Sequence, residues 1–480
     1  MTLFQILIVC LFALLVGLGL PTRWRNPAIL AGSLAAVFWL QSALAVRYLD
    51  FWFAGASIFL TVYVWVITRP ASAADEPGDK RQNQAAIIVV LAVVLLVGLL
   101  RYAGPVCCLT PSRPPVIWQV GLGTAAAGLI LLAAWKRVLP VRWMLALSVI
   151  FIIGLFVVLK LEPLGQAASA GLRRLTGQAP ELASIIDLRW LVFSYLAFRL
   201  LHVLRDAQAG RSLSAGGAPS TLGEFINYAL FFPALTAGPI DRAPRFLGDL
   251  RQPDTRRERL VTAGWRIFLG IFKKFALADS LAIFALSDQT AAQTASSFWT
   301  WVLVYAYSLR IYLDFSGYTD IAIGLGILLG VRLPENFERP YLKTNLAAFW
   351  NSWHITLAQW FRAYYFNPLT RTLRQRLHKP PAWAVIFITQ ITTMLLIGLW
   401  HGITWNFGLW GLWHGLGLFT HNRWLEWSRR RARTAPPATT RLVAFAGWFA
   451  TFHFVALGWV WFALSDTALA LAVFQRLWPF

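Results

Sequence analysis

The chain has 480 residues, of which 58% are hydrophobic and only 13% charged; soluble domains average roughly 45–50% and about 25%. A soluble fold of this length has no core large enough for so much apolar surface, and the same figures exclude disordered, collagen-like and disulfide-scaffold classes. Lys and Arg number 43 against 21 Asp and Glu, a formal charge of +22. No basic domain stands apart from the apolar runs, so the excess reads as the cytoplasmic loops of a polytopic membrane protein, not as nucleic-acid binding.

A membrane-spanning helix needs about 20 apolar residues. Leu3–Leu20 qualifies; its start lacks a basic n-region and no A-x-A cleavage pattern follows, so it reads as a retained helix and not a signal peptide. Further spans are expected at Ala28–Val46, Phe51–Ile67, Ala85–Leu100, Val116–Ala134 and Val141–Leu159. Arg23 and Arg25 follow the first span, and Lys136, Arg137 and Arg142 the fifth, which puts the N-terminus outside. Arg69–Gln84 is a polar loop.

The middle of the chain changes character. Ile185–Leu204 is apolar yet contains Asp187, Arg189, Arg199 and His202, and ionisable groups at membrane depth face a bundle interior or a wet cavity. Phe225–Ile240 is interrupted by Pro233, Gly238 and Pro239 and reads as re-entrant or broken. From Arg242 to Lys274, nine basic residues (Arg242, Arg245, Arg251, Arg256, Arg257, Arg259, Arg266, Lys273 and Lys274) mark a cytoplasmic stretch. Ser297–Ser316 spans, and Gly317, Gly324, Gly326 and Gly330 after it permit close helix approach. Leu342–Leu377 mixes Trp and Tyr with His354 and arginines, as interfacial or partly inserted helices do. Trp383–Leu399, Trp405–Phe419 and Leu442–Leu464 complete about eleven spans, with Arg429–Arg431 and Arg433 between the last two.

The expected fold is therefore an all-α polytopic membrane protein with re-entrant or interfacial helices. It forms one integral-membrane domain, 1–480, with peripheral helices over 1–180, a core over 185–420 and a last helix over 442–464.

Of seven histidines, two have unusual settings: His354, in Phe349–Leu357, and His401, in Gly398–Gly402. Imidazole titrates near neutral pH and is the commonest general base, and burial keeps it uncharged and ready to accept a proton. Gly398 and Gly402 leave space for a substrate or another backbone to approach His401. His414 repeats the Trp-His-Gly pattern, which makes that tripeptide weak on its own; His378 reads as loop, His202 and His453 as structural, and His421 as interfacial. Cys107 and Cys108 are adjacent, so no disulfide framework or zinc spacing arises. No phosphate-binding loop, H-E-x-x-H, G-x-S-x-G elbow or carboxylate cluster is present, so no metal or bound cofactor is expected. Asp314 and Asp320 read as ion-pair or capping residues.

Four ordered runs carry a resemblance: Phe231–Arg242 (FFPALTAGPIDR), Tyr312–Tyr341, Phe349–Leu369 (FWNSWHITLAQWFRAYYFNPL) and Gly398–Gly402 (GLWHG). Together they resemble the membrane-bound O-acyltransferase family, in particular its bacterial branch of alginate O-acetylases and teichoic-acid D-alanyl transfer proteins. The resemblance covers roughly Asp187–Phe419. It implies helices around a central tunnel in the bacterial cytoplasmic membrane, where an acyl group moves from a cytoplasmic thioester to a hydroxyl of an extracytoplasmic glycan. The thioester is an acyl-coenzyme A or acyl-carrier co-substrate, and transfer is direct or through an extracytoplasmic partner transferase. Acetyl is the default acyl group. The family's two motif histidines fall on His354 and His401, with His401 as general base and His354 orienting the acceptor or stabilising charge. Asn351, Trp353, Tyr318 and Trp400 are candidates for binding substrate, and Arg242 for attracting the donor or, with its neighbours, anionic membrane lipid. Ala363 and Thr370-Arg371 stand where the alginate branch has Asp and a Gly pair, and GPIDR leans to the D-alanyl branch, so acyl group and acceptor stay open. The competing reading is a transporter or flippase with Asp187, Arg199 and His202 as an intramembrane relay; no inverted repeat supports it.

Overall fold

The computed structural model describes residues 2–69, 77–104, 107–211, 220–253, 258–376, 380–431 and 440–478. Residues 70–76 of the polar loop, Arg256, Arg257, His378 and Arg433 lie outside them. The described residues are helical apart from loops and one isolated antiparallel bridge, Phe337 to Trp353. Seven helices are long and apolar enough to cross a membrane: Leu49–Thr68, Asp79–Tyr102, Ile117–Trp135, Val141–Lys160, Ser297–Leu328, Ala382–His401 and Arg441–Ala463.

The expected count of about eleven differs for physical reasons. Leu3–Gly19 is apolar but short and turns π-helical from Leu15. Ile185–Leu204 is divided between a 3₁₀ turn, Ile185–Leu188, and a helix that begins only at Phe193. Trp405–Phe419 is part of the longer helix Trp405–Arg431, whose tryptophans, glycines and histidines leave it short of the hydropathy of a spanning stretch.

The chain packs as two units. The first comprises Met1–Ile267 and Ile321–Pro334. It holds α1 (Leu3–Leu14), α2 (Thr22–Trp39), α3 (Leu49–Thr68), α4 (Pro77–Leu99), α5 (Ile117–Trp135), α6 (Val141–Lys160), α7 (Glu162–Leu175), α8 (Phe193–Gln208), α9 (Leu222–Ala229), α10 (Ala243–Arg251) and most of α11 (Glu258–Ile271). Helix α3 is central: its Ser57 and Thr61 are fully buried and bond carbonyls one turn back, and the Trp190 indole donates to Ser57 Oγ at 2.9 Å. Helices α5 and α6 turn Leu122, Leu129, Ile150 and Phe151 outward, the inverse of a soluble pattern and what a lipid solvent requires.

The three residues of the transporter reading engage different partners. Asp187 accepts from Arg173 Nε (2.8 Å) and Ser169 Oγ (2.7 Å). Arg199 donates to the carbonyls of Ala229 and Ala234, tying off the end of α9 and the 3₁₀ turn Phe232–Ala234. His202 Nε2 meets the Tyr228 hydroxyl at 2.8 Å. Phe225–Ile240 is broken, as its prolines predict.

The basic stretch Arg242–Lys274 is more structured than its charge suggests. It contains α10 and then α11, which continues as a π-helical segment, Phe272–Ala278, into α12 (Asp279–Ala282). Val261, Trp265, Phe268 and Phe272 face outward at helical spacing.

The second unit comprises Phe268–Asp320 and Glu335–Phe480. It contains α13 (Asp288–Gln293), the first three-quarters of α14 (Ser297–Leu328), α15 (Leu346–Trp350), α16 (Ile355–Phe361), α17 (Asn367–Arg376), α18 (Ala382–His401), α19 (Trp405–Arg431), α20 (Thr440–Ala463) and α21 (Thr467–Leu477). Gly317 of α14 lies against the Gly270 carbonyl and the Lys274 backbone, where a Cβ would press at 2.8–3.0 Å. That approach brings Lys273 to Asp320 (2.7 Å) and Lys274 to Asp314, ion pairs with lysines where an arginine partner or a helix cap was expected.

Candidate active site

His354 owes its position to a short pairing of two chain segments. The Glu338 N–H donates to the Ser352 carbonyl, and the Ile355 N–H to the Asn336 carbonyl, each at 3.0 Å. Between them the chain turns through His354 in the left-handed region, φ 42°, and enters α16. Asn336 Oδ1 caps that helix, accepting from the Thr356 N–H (3.2 Å) and hydroxyl (2.7 Å). The His354 side chain is therefore not needed as a cap. Its Nδ1 lies 3.4 Å from the same Asn336 oxygen, while Nε2 is buried with no hydrogen-bond partner. His354 is 3% exposed and lies outside the seven spanning helices; burial pushes its pKa down to about 3, so the ring is neutral at pH 7.

His401 is the last residue of α18 and is half-buried. Helix α18 folds back on α19 at very short range. A Cβ on Gly398 would collide with the Phe407 carbonyl, one on Gly402 with the Phe407 ring, and one on Gly411 with the Met394 carbonyl. Gly398 thus serves the approach of another backbone, one of the two uses expected of these glycines, and Gly402 makes room for an aromatic ring. The His401 ring packs 4.4 Å from Trp400, 4.7 Å from Phe462 and 5.7 Å from Trp410.

Trp400 joins the two motifs. Its indole lies 6.2 Å from the His354 ring as well as 4.4 Å from His401. Phe315 of α14 packs edge-on against His354 at 4.7 Å. The result is an aromatic-walled cluster that holds two imidazoles.

The other expected binding residues have different settings. Trp353 is buried against Phe337, Phe349 and Trp459 and belongs to the aromatic layer. Asn351 is exposed, and its Oδ1 accepts from Arg362 at 2.7 Å. Tyr318 is buried on α14. Arg242 is exposed at the start of α10, in the first unit. Asn336, fully buried, is the residue that sequence reasoning passed over; its only signal was its place in the run ending Glu335–Tyr341. His414, read as an echo, is fully buried among Trp350, Trp410 and Phe454. Among the described residues no group of three or more His, Cys, Asp or Glu is arranged to hold a metal ion.

The fold is that of a helical, multi-pass membrane protein, and the cluster brings two imidazoles against one indole. Residues 118–458 match the membrane-bound O-acyltransferase family, and the chain belongs to that family. It is 34% identical over 261 residues to a peptidoglycan O-acetyltransferase of Helicobacter pylori, covering 53% of this chain and 47% of that one. It is 32% identical over 289 residues to a teichoic acid D-alanyltransferase of Streptococcus thermophilus, covering 58% and 68%. It is 34% identical over 272 residues to a probable alginate O-acetylase of Azotobacter vinelandii, covering 55% and 50%. The aligned region thus spans about half the length of the Helicobacter and Azotobacter relatives.

Proposed function

We propose that the chain is an O-acyltransferase of the bacterial cytoplasmic membrane. It moves an acyl group, acetyl by default, from a thioester donor to a hydroxyl of a cell-envelope glycan. The observation that carries this reading is the meeting of His354 and His401 on one indole, Trp400, in a family whose relatives acylate envelope polymers.

The chemistry follows from the groups present. An alcohol has a pKa far above 7 and attacks a thioester poorly. Neutral His401 accepts the hydroxyl proton as the oxygen bonds to the acyl carbon; the tetrahedral intermediate collapses with loss of the thiolate, which takes up a proton. General-base help is worth typically 10²–10⁴-fold, and holding both substrates in one passage adds the advantage of proximity. His354, with Nδ1 toward Asn336 and Nε2 turned inward, orients the acceptor or donates to the developing oxyanion. The donor is a coenzyme A or carrier-protein thioester, drawn in by Arg242 and its basic neighbours. Transfer to the glycan is direct or passes through an extracytoplasmic partner.

The test is a deletion strain complemented with the intact gene or with His401→Ala, followed by mass spectrometry of alkali-labile acyl groups on each envelope polymer. Loss of one ester with the deletion and with His401→Ala, at equal protein in the membrane, is expected. Full acylation with His401→Ala would remove the proposed mechanism.

A further inference from the structure

Arg25, in the first turn of α2, is 4% exposed, yet its Nε and Nη2 atoms are buried with no hydrogen-bond partner. Nη2 lies against Gly330, where a Cβ would collide with it. Gly330 closes α14 through a left-handed turn, φ +73°. There the N–H groups of Leu329, Gly330 and Val331 take the carbonyls of Leu325, Ile327 and Gly326. These carbonyls already have donors, so the helix offers the guanidinium mainly its dipole. Arg259 approaches the same helix end: it donates to the Gly17 carbonyl at 3.4 Å, and Gly17 packs on the Leu328 backbone. Arg25 lies outside the seven spans, and burial and repulsion from Arg259 lower its pKa to about 10, which leaves it cationic at pH 7.

Three acids among the described residues of the first unit are committed to other partners. Asp241 and Asp249 pair with Arg245, Asp249 also accepts from the Arg332 N–H, and Glu224 pairs with Arg251. A buried guanidinium stays charged and is costly without an anion. We propose that Arg25, with Arg259 beside it, is an anion site for a phosphate ester, whose oxygens match the planar guanidinium fork. A lipid phosphodiester and the phosphate of a soluble cofactor share this chemistry. The site belongs to the first unit and involves neither histidine, so it stands or falls apart from the acyl-transfer reading.

The test follows thermal unfolding of the purified full chain in detergent, with coenzyme A or with phosphatidylglycerol. Sodium chloride at equal ionic strength and diacylglycerol serve as controls. One phosphate probe is expected to raise the midpoint by at least about 2 °C, and Arg25→Gln to lose that rise. A response to coenzyme A identifies a soluble phosphate; a response to phosphatidylglycerol alone identifies a lipid. If Arg25→Gln does not fold, Arg25→Lys, which keeps the charge and loses the fork, takes its place and is expected to show a smaller rise. No rise with either probe, a rise matched by a control, or an undiminished rise in the variant would overturn the site.

Discussion

Asn336 and His354 meet through one oxygen: Asn336 Oδ1 stands 3.4 Å from His354 Nδ1 while it caps α16 through Thr356. A residue far from the Trp-His-Gly motif thereby fixes both the helix and the imidazole.

Asn336→Ala removes the oxygen that accepts from the Thr356 N–H and hydroxyl. The expected cost is about 1–3 kcal/mol, read as a lower unfolding midpoint in detergent. Acylation should fall in the same variant, because the His354 ring loses its neighbour, whereas Asn336→Asp keeps the acceptor oxygen and should retain more activity than Ala.

His401→Ala should lower acyl transfer by about 10²–10⁴-fold with little change in stability, since the ring is only half-buried. Ester content of the envelope polymers and the amount of protein in the membrane separate the two effects.

Gly398→Ala tests the close passage of α18 over α19. The new methyl would collide with the Phe407 carbonyl, and overpacking of this kind costs about 1–3 kcal/mol. Gly121→Ala is the matched control: it is helical, and nothing lies within 4 Å of its Cβ. It should be neutral or slightly stabilising. Equal melting of the two variants would disprove the tight crossing.

Asp187 contributes to acid stability in the first unit. Burial alone would raise its pKa, but hydrogen bonds from Arg173, Ser169 and the Ser184 N–H outweigh that and hold it below the ordinary carboxyl value. A depressed folded pKa stabilises fully above the unfolded value of about 3.9, and the benefit fades as pH falls through the lower folded value. Asp187→Asn should therefore lose about 3 kcal/mol at pH 7 and show a flatter decline in melting temperature below pH 4 than the unaltered chain.

Much of the architecture was legible because lipid selects long apolar runs: α3, α5, α6 and α18 fall within a residue or two of their hydropathy limits. The helix from Glu258 to Ala282 was not legible, because its nine-charge neighbourhood hid the stripe of Val261, Trp265, Phe268 and Phe272. The two histidines and Trp400 stood out by motif, but their meeting did not, since His354 and His401 lie 47 positions apart and only the fold brings the His354 ring to Trp400. Asn336 was invisible because capping at a distance leaves no local signature, and Trp353 reads alike as ligand contact or core until its neighbours are seen.

The left-handed backbone at His354 makes alanine a poor choice for deleting that ring, since a β-carbon there carries about 1 kcal/mol of conformational penalty. Glycine relaxes the strain and removes the imidazole together, leaving a ring-sized hollow beside Phe315. His354→Gly is thus the variant with which the proposed role of this ring is tested, by adding free imidazole and measuring acyl transfer.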